Sequence, residues 1–200
     1  MKTERFRKAI RSIDLANSND PNTIVVDGEA RPKELTHAAM LTAWVEQLHD
    51  DPGEALLLAA RAHHLRRWSI PREGYPQGRS GYLRWRRALQ EQHAAGIAVV
   101  LRDVGYDPEL IQRVQDLVRK KNLKRDPDVQ TLEDGLCLVF LETQLSELRE
   151  QYGDAKTIEI LQKTWKKMSR QARDRALELD LHPDERSVVE RAVANGSEAT

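Results

Sequence analysis

Apolar residues along this 200-residue chain recur at steps of three and four, with no long stretch that alternates. Phe6, Ala9, Ile10 and Ile13 lie on one face of a predicted amphipathic helix from Thr3 to Ala16, and the polar run Asn17 to Asn22 stops it. Thr23 to Gly28 is β-branched but short, and reads as an extended connector. Leu35, Ala38, Leu41, Trp44, Val45 and Leu48 form the inward stripe of the next helix, with His37 four residues before Leu41. Asp51-Pro52, Asp107-Pro108 and Asp126-Pro127 each place a capping carboxylate before a proline, a device for starting helices. The pattern predicts helices over 52–68, 81–104, 107–121, 126–150 and 155–168.

These elements predict an all-α chain: a single-domain bundle of about seven or eight helices over residues 1–180, followed by a polar tail over 181–200. Hydrophobic residues at 40% against charged ones at 32% suit an ordinary globular core. Thirty-two basic and thirty-two acidic residues cancel, so no bulk DNA binding is expected. No apolar run approaches the roughly 20 residues of a membrane span, and the charged start Met1 to Arg7 lacks a signal-like core. The lone Cys137 among apolar neighbours suits a reducing compartment, so a cytoplasmic location is expected.

Polar residues inside the apolar pattern carry the candidate chemistry. His64 follows Leu57 and Ala60 on one predicted face with His63 beside it, His93 falls on the inner stripe of a later helix, and His37 on an earlier one. Glu133 and Asp134 interrupt the apolar run Leu132 to Leu141. A buried carboxylate needs a cation, hydrogen-bond donors or a raised pKa. A divalent ion held by imidazole and carboxylate meets that need, with iron, manganese, nickel or zinc as the candidates. The expected ligands are His37, His64 and Asp134, with His63 added, and Glu133 and His93 serve as further ligands or proton carriers. Arg67, Arg72 and Arg84 bracket the Pro/Gly-rich loop 69–80 and would hold a small anionic substrate. The competing readings make the histidines hydrogen-bonded core residues, Glu133 a partner of Arg61 or Arg67, the arginines a solvated face, and Trp68, Trp85 and Trp165 core residues.

Order and spacing add to the residue types: 27 residues separate His37 from His64, and 70 separate His64 from Asp134. This resembles the HD superfamily of helical metal-dependent phosphohydrolases, with a histidine, a His-Asp pair about one helix later, and a distant aspartate. The pair's aspartate is absent here, since His63-His64 or His64-Leu65 stands in its place. The resemblance implies hydrolysis of a small phosphorylated or nucleotide-like molecule. His93 is similar to the extra ligand of HD-type oxygenases that hold two irons, which implies iron-dependent oxidation instead. A non-catalytic helical module that binds an anionic partner such as RNA is the third expectation.

Residues 5–180 are identified as a member of an uncharacterised family catalogued as domain of unknown function number 4202, found in bacteria and fungi. The segments that carry this resemblance are Glu34 to Ala38, Ala59 to Trp68, Ile70 to Arg72, Gly81 to Arg86, Gln130 to Asp134 and Lys163 to Ser169. In that family the position of His63 is often glutamine, which favours His64 as the ligand.

Overall fold

The computed structural model describes the backbone of residues 2–26 and 28–197, and side chains as far as residue 194. It is mainly α-helical and divides into two compact units, Met1–Leu132 and Glu133–Thr200.

The first unit opens with α1 (Glu4–Asn17), where the Thr3 hydroxyl accepts a hydrogen bond from the Phe6 amide and so satisfies one of the helix's unpaired donors. The connector expected at Thr23 to Gly28 is instead half of a hairpin: β1 (Thr23–Val26) pairs antiparallel with β2 (Glu29–Pro32), Thr23 opposite Pro32 and Val26 opposite Glu29. Its second strand, Glu-Ala-Arg-Pro, has little β-propensity, and only pairing makes it a strand. Then come α2 (Lys33–Leu48), α3 (Glu54–Ala62), α4 (Gly78–Asp103) and α5 (Pro108–Val118). Val45, Leu58, Ile97, Leu101, Val114 and Leu117, at 0% exposure, form the interior of this unit.

One of the predicted helix starts differs from its expected form. Asp107 caps α5 as expected, accepting from the Leu110 amide. Asp51 does not cap α3, which begins three residues later behind Gly53. That helix also ends earlier than the pattern predicts, at Ala62, so His63 and His64 fall in the turn that follows.

Asp126 accepts from the amide of Asp128 at the start of α6 (Pro127–Trp165), and Arg113 braces this carboxylate and Asp128. Helix α6 continues into the second unit and bends at Gly153, whose φ of 74° and ψ of 167° fit a residue without a Cβ. The two helices predicted over 126–150 and 155–168 are the two arms of this bent helix. Two further helices follow. One is α7 (Arg170–Glu178), capped by the Ser169 hydroxyl, which accepts from the Ala172 amide. The other is α8 (Pro183–Ser197), where a polar tail was expected. Val188, Val189 and Ala192 bury one side of α8, and three small apolar contacts in a charged segment leave little periodic signal.

Candidate metal centre

Glu34 and His37 lie one turn apart on α2, so both side chains project from the same face. The start of α2 has no cap from its own neighbouring residue. The buried carboxylate of Asp20 fills that role from a distance, accepting from the Glu34 amide at 2.9 Å and from the Asn22 amide through its other oxygen. Glu34 is thereby held at the helix's positive end, where a carboxylate is favoured.

The turn carrying His64 is locked from three sides. Arg61 at the end of α3 forms a two-pronged pair with Asp14 of α1, at 2.6 and 2.9 Å. Arg66 adopts a left-handed φ of 51°, and its amide donates to the buried Asn17 side chain at 3.0 Å. On the α4 side the His93 Nδ1 lies 2.9 Å from the Leu65 carbonyl, and Trp85 donates its indole N–H to the Ile70 carbonyl. Gly96 allows α4 this close, because a Cβ there would lie 3.2 Å from the Leu65 side chain.

His64 then meets Glu34. Its Nδ1 stands 3.0 Å from Glu34 Oε2, and His37 Nδ1 lies 3.8 Å from the same oxygen. One donor atom from each of Glu34, His37 and His64 falls within 4.8 Å of the others. Glu34 and His37 are buried and His64 is half-buried. Arg67 reaches the second carboxylate oxygen, Oε1, at 3.6 Å.

Burial pushes the Glu34 carboxyl up, but the charge and hydrogen bonds of His64 and His37 outweigh it and hold the group well below the usual carboxylate range. His64 and His93 are pushed down chiefly by burial, His93 to about 3, and His63 goes the same way. A carbonyl can only accept, so His93 carries its proton on Nδ1, and its Nε2 holds a lone pair. That Nε2, the His37 Nε2 and the His63 Nδ1 are buried without a hydrogen-bond partner among the described residues. Imidazole nitrogens left in this way are suited to an ordered water or, where they hold a lone pair, to a cation.

The predicted residues therefore divide. His37 and His64 come together, while His63 and His93 pack against His64 with ring centroids at 4.9 and 5.9 Å. Burial is reversed from expectation: His63 is enclosed and His64 is the partly open one, because the helix ends before them. Glu133 and Asp134 belong to the second unit. There Asp134 accepts from the Ser169 amide at 2.8 Å, and Lys167 Nζ lies 3.6 Å from Glu133. Arg61 pairs with Asp14 and Arg67 with Glu34. Arg72 holds its own loop, donating to the carbonyls of Tyr75 and Pro76, and Arg84 is exposed on α4. Trp68, Trp85 and Trp165 are half-buried.

Glu34 was not singled out as a ligand from sequence. Its signal was present in the Glu-x-x-His spacing with His37 on one predicted helix, a spacing that directs both side chains to one point.

The helical fold and this cluster define a mainly α protein with a two-histidine, one-carboxylate donor set in its first unit. The chain matches the family model described as Domain of unknown function (DUF4202) over residues 7–189, and it belongs to that family. No curated protein and no solved structure matches it. Among the described residues no helix is long and apolar enough to cross a membrane.

Proposed function

We propose that Glu34, His37 and His64 bind one divalent cation, and that the protein uses it to hydrolyse a small phosphorylated molecule. The observation that supports this reading is the convergence of the three donors within 4.8 Å. At metal–ligand distances near 2.1 Å, two ligands of one ion stand roughly 3.0 to 3.4 Å apart. The 3.0 Å between His64 and Glu34 already has that spacing, and a pair at the 4.8 Å limit would have to close by about 1.4 to 1.8 Å. Three protein ligands leave a position for water, the arrangement of hydrolytic sites, where the ion brings the water's pKa toward ~7. Arg67 beside the carboxylate supplies a fork of donors suited to a phosphate.

The donor set favours a second reading. Two imidazoles and one carboxylate on one face also suit ferrous iron and oxygen chemistry. Metal content by mass spectrometry tests both, on the untagged protein and on His64→Ala and Glu34→Gln. Near-stoichiometric metal that falls sharply in both folded variants is the expected result. Iron with oxygen-dependent absorption changes would move the conclusion from hydrolysis to oxidation. No metal in the parent, with both variants merely less stable, would make the cluster a structural hydrogen-bond network and refute the proposal.

A further inference from the structure

The N-terminal part of α4 carries Arg79, Arg84, Arg86 and Arg87 around Tyr82 and Trp85. Two of the guanidinium groups in this region occupy defined positions. Arg67 lies over the Trp85 ring with its guanidinium carbon 4.8 Å from the centroid, and Arg86 lies over Tyr82 at 5.9 Å. The two rings are themselves neighbours, with centroids 5.9 Å apart, so the chain Arg67, Trp85, Tyr82, Arg86 is continuous. A guanidinium held over an aromatic ring keeps N–H groups for an acceptor. Arg67 uses its edge on Glu34 Oε1 at 3.6 Å, and Arg86 donates to the Tyr82 hydroxyl at 3.4 Å.

We infer that Arg67 and Arg86 form an anion subsite beside the Glu34–His37–His64 cluster, and that it takes the phosphate group of a phosphate monoester. The inference deepens the proposed function and rests on it for the link to catalysis. Its physical basis is an excess of positive charge held in place. Two guanidiniums brought together on adjoining rings repel, and a dianionic phosphate removes that repulsion while accepting from both forks. A divalent ion on Glu34 would take over the carboxylate's charge and release the Arg67 fork to the phosphate. Metal and anion therefore bind with positive coupling. Of the three arginines expected to hold substrate, Arg67 keeps that role, and Arg86 takes the place of Arg72 and Arg84.

The test is a titration of the full-length protein, as isolated and again after chelator treatment, with inorganic pyrophosphate and inorganic phosphate, followed by phosphorus NMR, with metal content read on the same samples. Arg86→Gln is the informative variant, since Arg86 is half-buried and its loss leaves the metal cluster's own contacts in place. The expected result is saturable binding to the parent, weakened about tenfold or more in Arg86→Gln and less in Arg86→Lys, with metal content unchanged. Arg11→Gln, at an exposed position of α1, leaves binding as in the parent. No binding to the parent, or equal binding by parent and Arg86→Gln, overturns the subsite. Binding that depends on Arg86 in a parent that holds no metal would refute the metal centre and leave the subsite standing.

Discussion

His93 predicts how this protein fails in acid. Its ring is 3% exposed, its Nδ1 is engaged with the Leu65 carbonyl, and its Nε2 has no partner that could share a second proton. Burial, reinforced by His64, pushes it from 6.5 down to about 3. Between those values the unfolded chain holds one proton more than the folded one. Stability from this residue is therefore complete above pH 6.5 and declines as pH falls toward 3. At about 1.4 kcal/mol per pH unit, going from pH 7 to pH 4.5 removes on the order of 3 kcal/mol. That corresponds to roughly 6 to 12 °C in melting temperature for a chain of this size.

The assay is thermal unfolding by circular dichroism from pH 7.5 to 4.5 in the presence of chelator, comparing the parent with His93→Asn. Asparagine keeps a donor for the Leu65 carbonyl but does not titrate. The variant starts less stable because it leaves a cavity, and its melting temperature falls less steeply with acid. His63 contributes with the same sign in both proteins, so the difference between the two curves reports His93 together with its effect on the neighbouring imidazoles. Parallel curves would refute the reasoning.

Two structural predictions follow from local geometry. Gly81→Ala would place a Cβ 1.8 Å from the Pro76 carbonyl oxygen in the loop held by Arg72; the expected cost is about 1 to 3 kcal/mol, with reduced pyrophosphate binding as Tyr82 and Arg86 shift. Urea unfolding checks the first part, and an unchanged midpoint would show that the loop yields freely. Asp107→Ala removes the cap of α5 and should cost about 1 kcal/mol with no change in metal content, whereas Asp107→Asn should lose much less.

Helix periodicity carried most of the architecture. Core stripes such as Leu41, Val45 and Leu48 on α2 or Val114, Leu117 and Val118 on α5 are local patterns, and burial followed them. Asp107-Pro108 marked a helix start through short-range chemistry and was readable for the same reason. The chain's mainly helical character and the inward places of His37 and His93 were thus determined by neighbours within one or two turns. What closed the site was long-range. Asn17 holds the turn at Arg66, 49 positions away, Asp20 caps α2 across 14, and Asp14 anchors Arg61 across 47. These contacts end α3 at Ala62 although the apolar pattern runs on, and so turn His64 toward Glu34. Glu34 had the spacing of a ligand, but on a helix an acid four residues before an apolar position is ordinarily a surface charge. Only the packing of α1 and α3 against α2 buried it between two imidazoles and Arg67. The hairpin and α8 were hidden for a related reason, since each owes its form to partners far along the chain or to a few small buried residues.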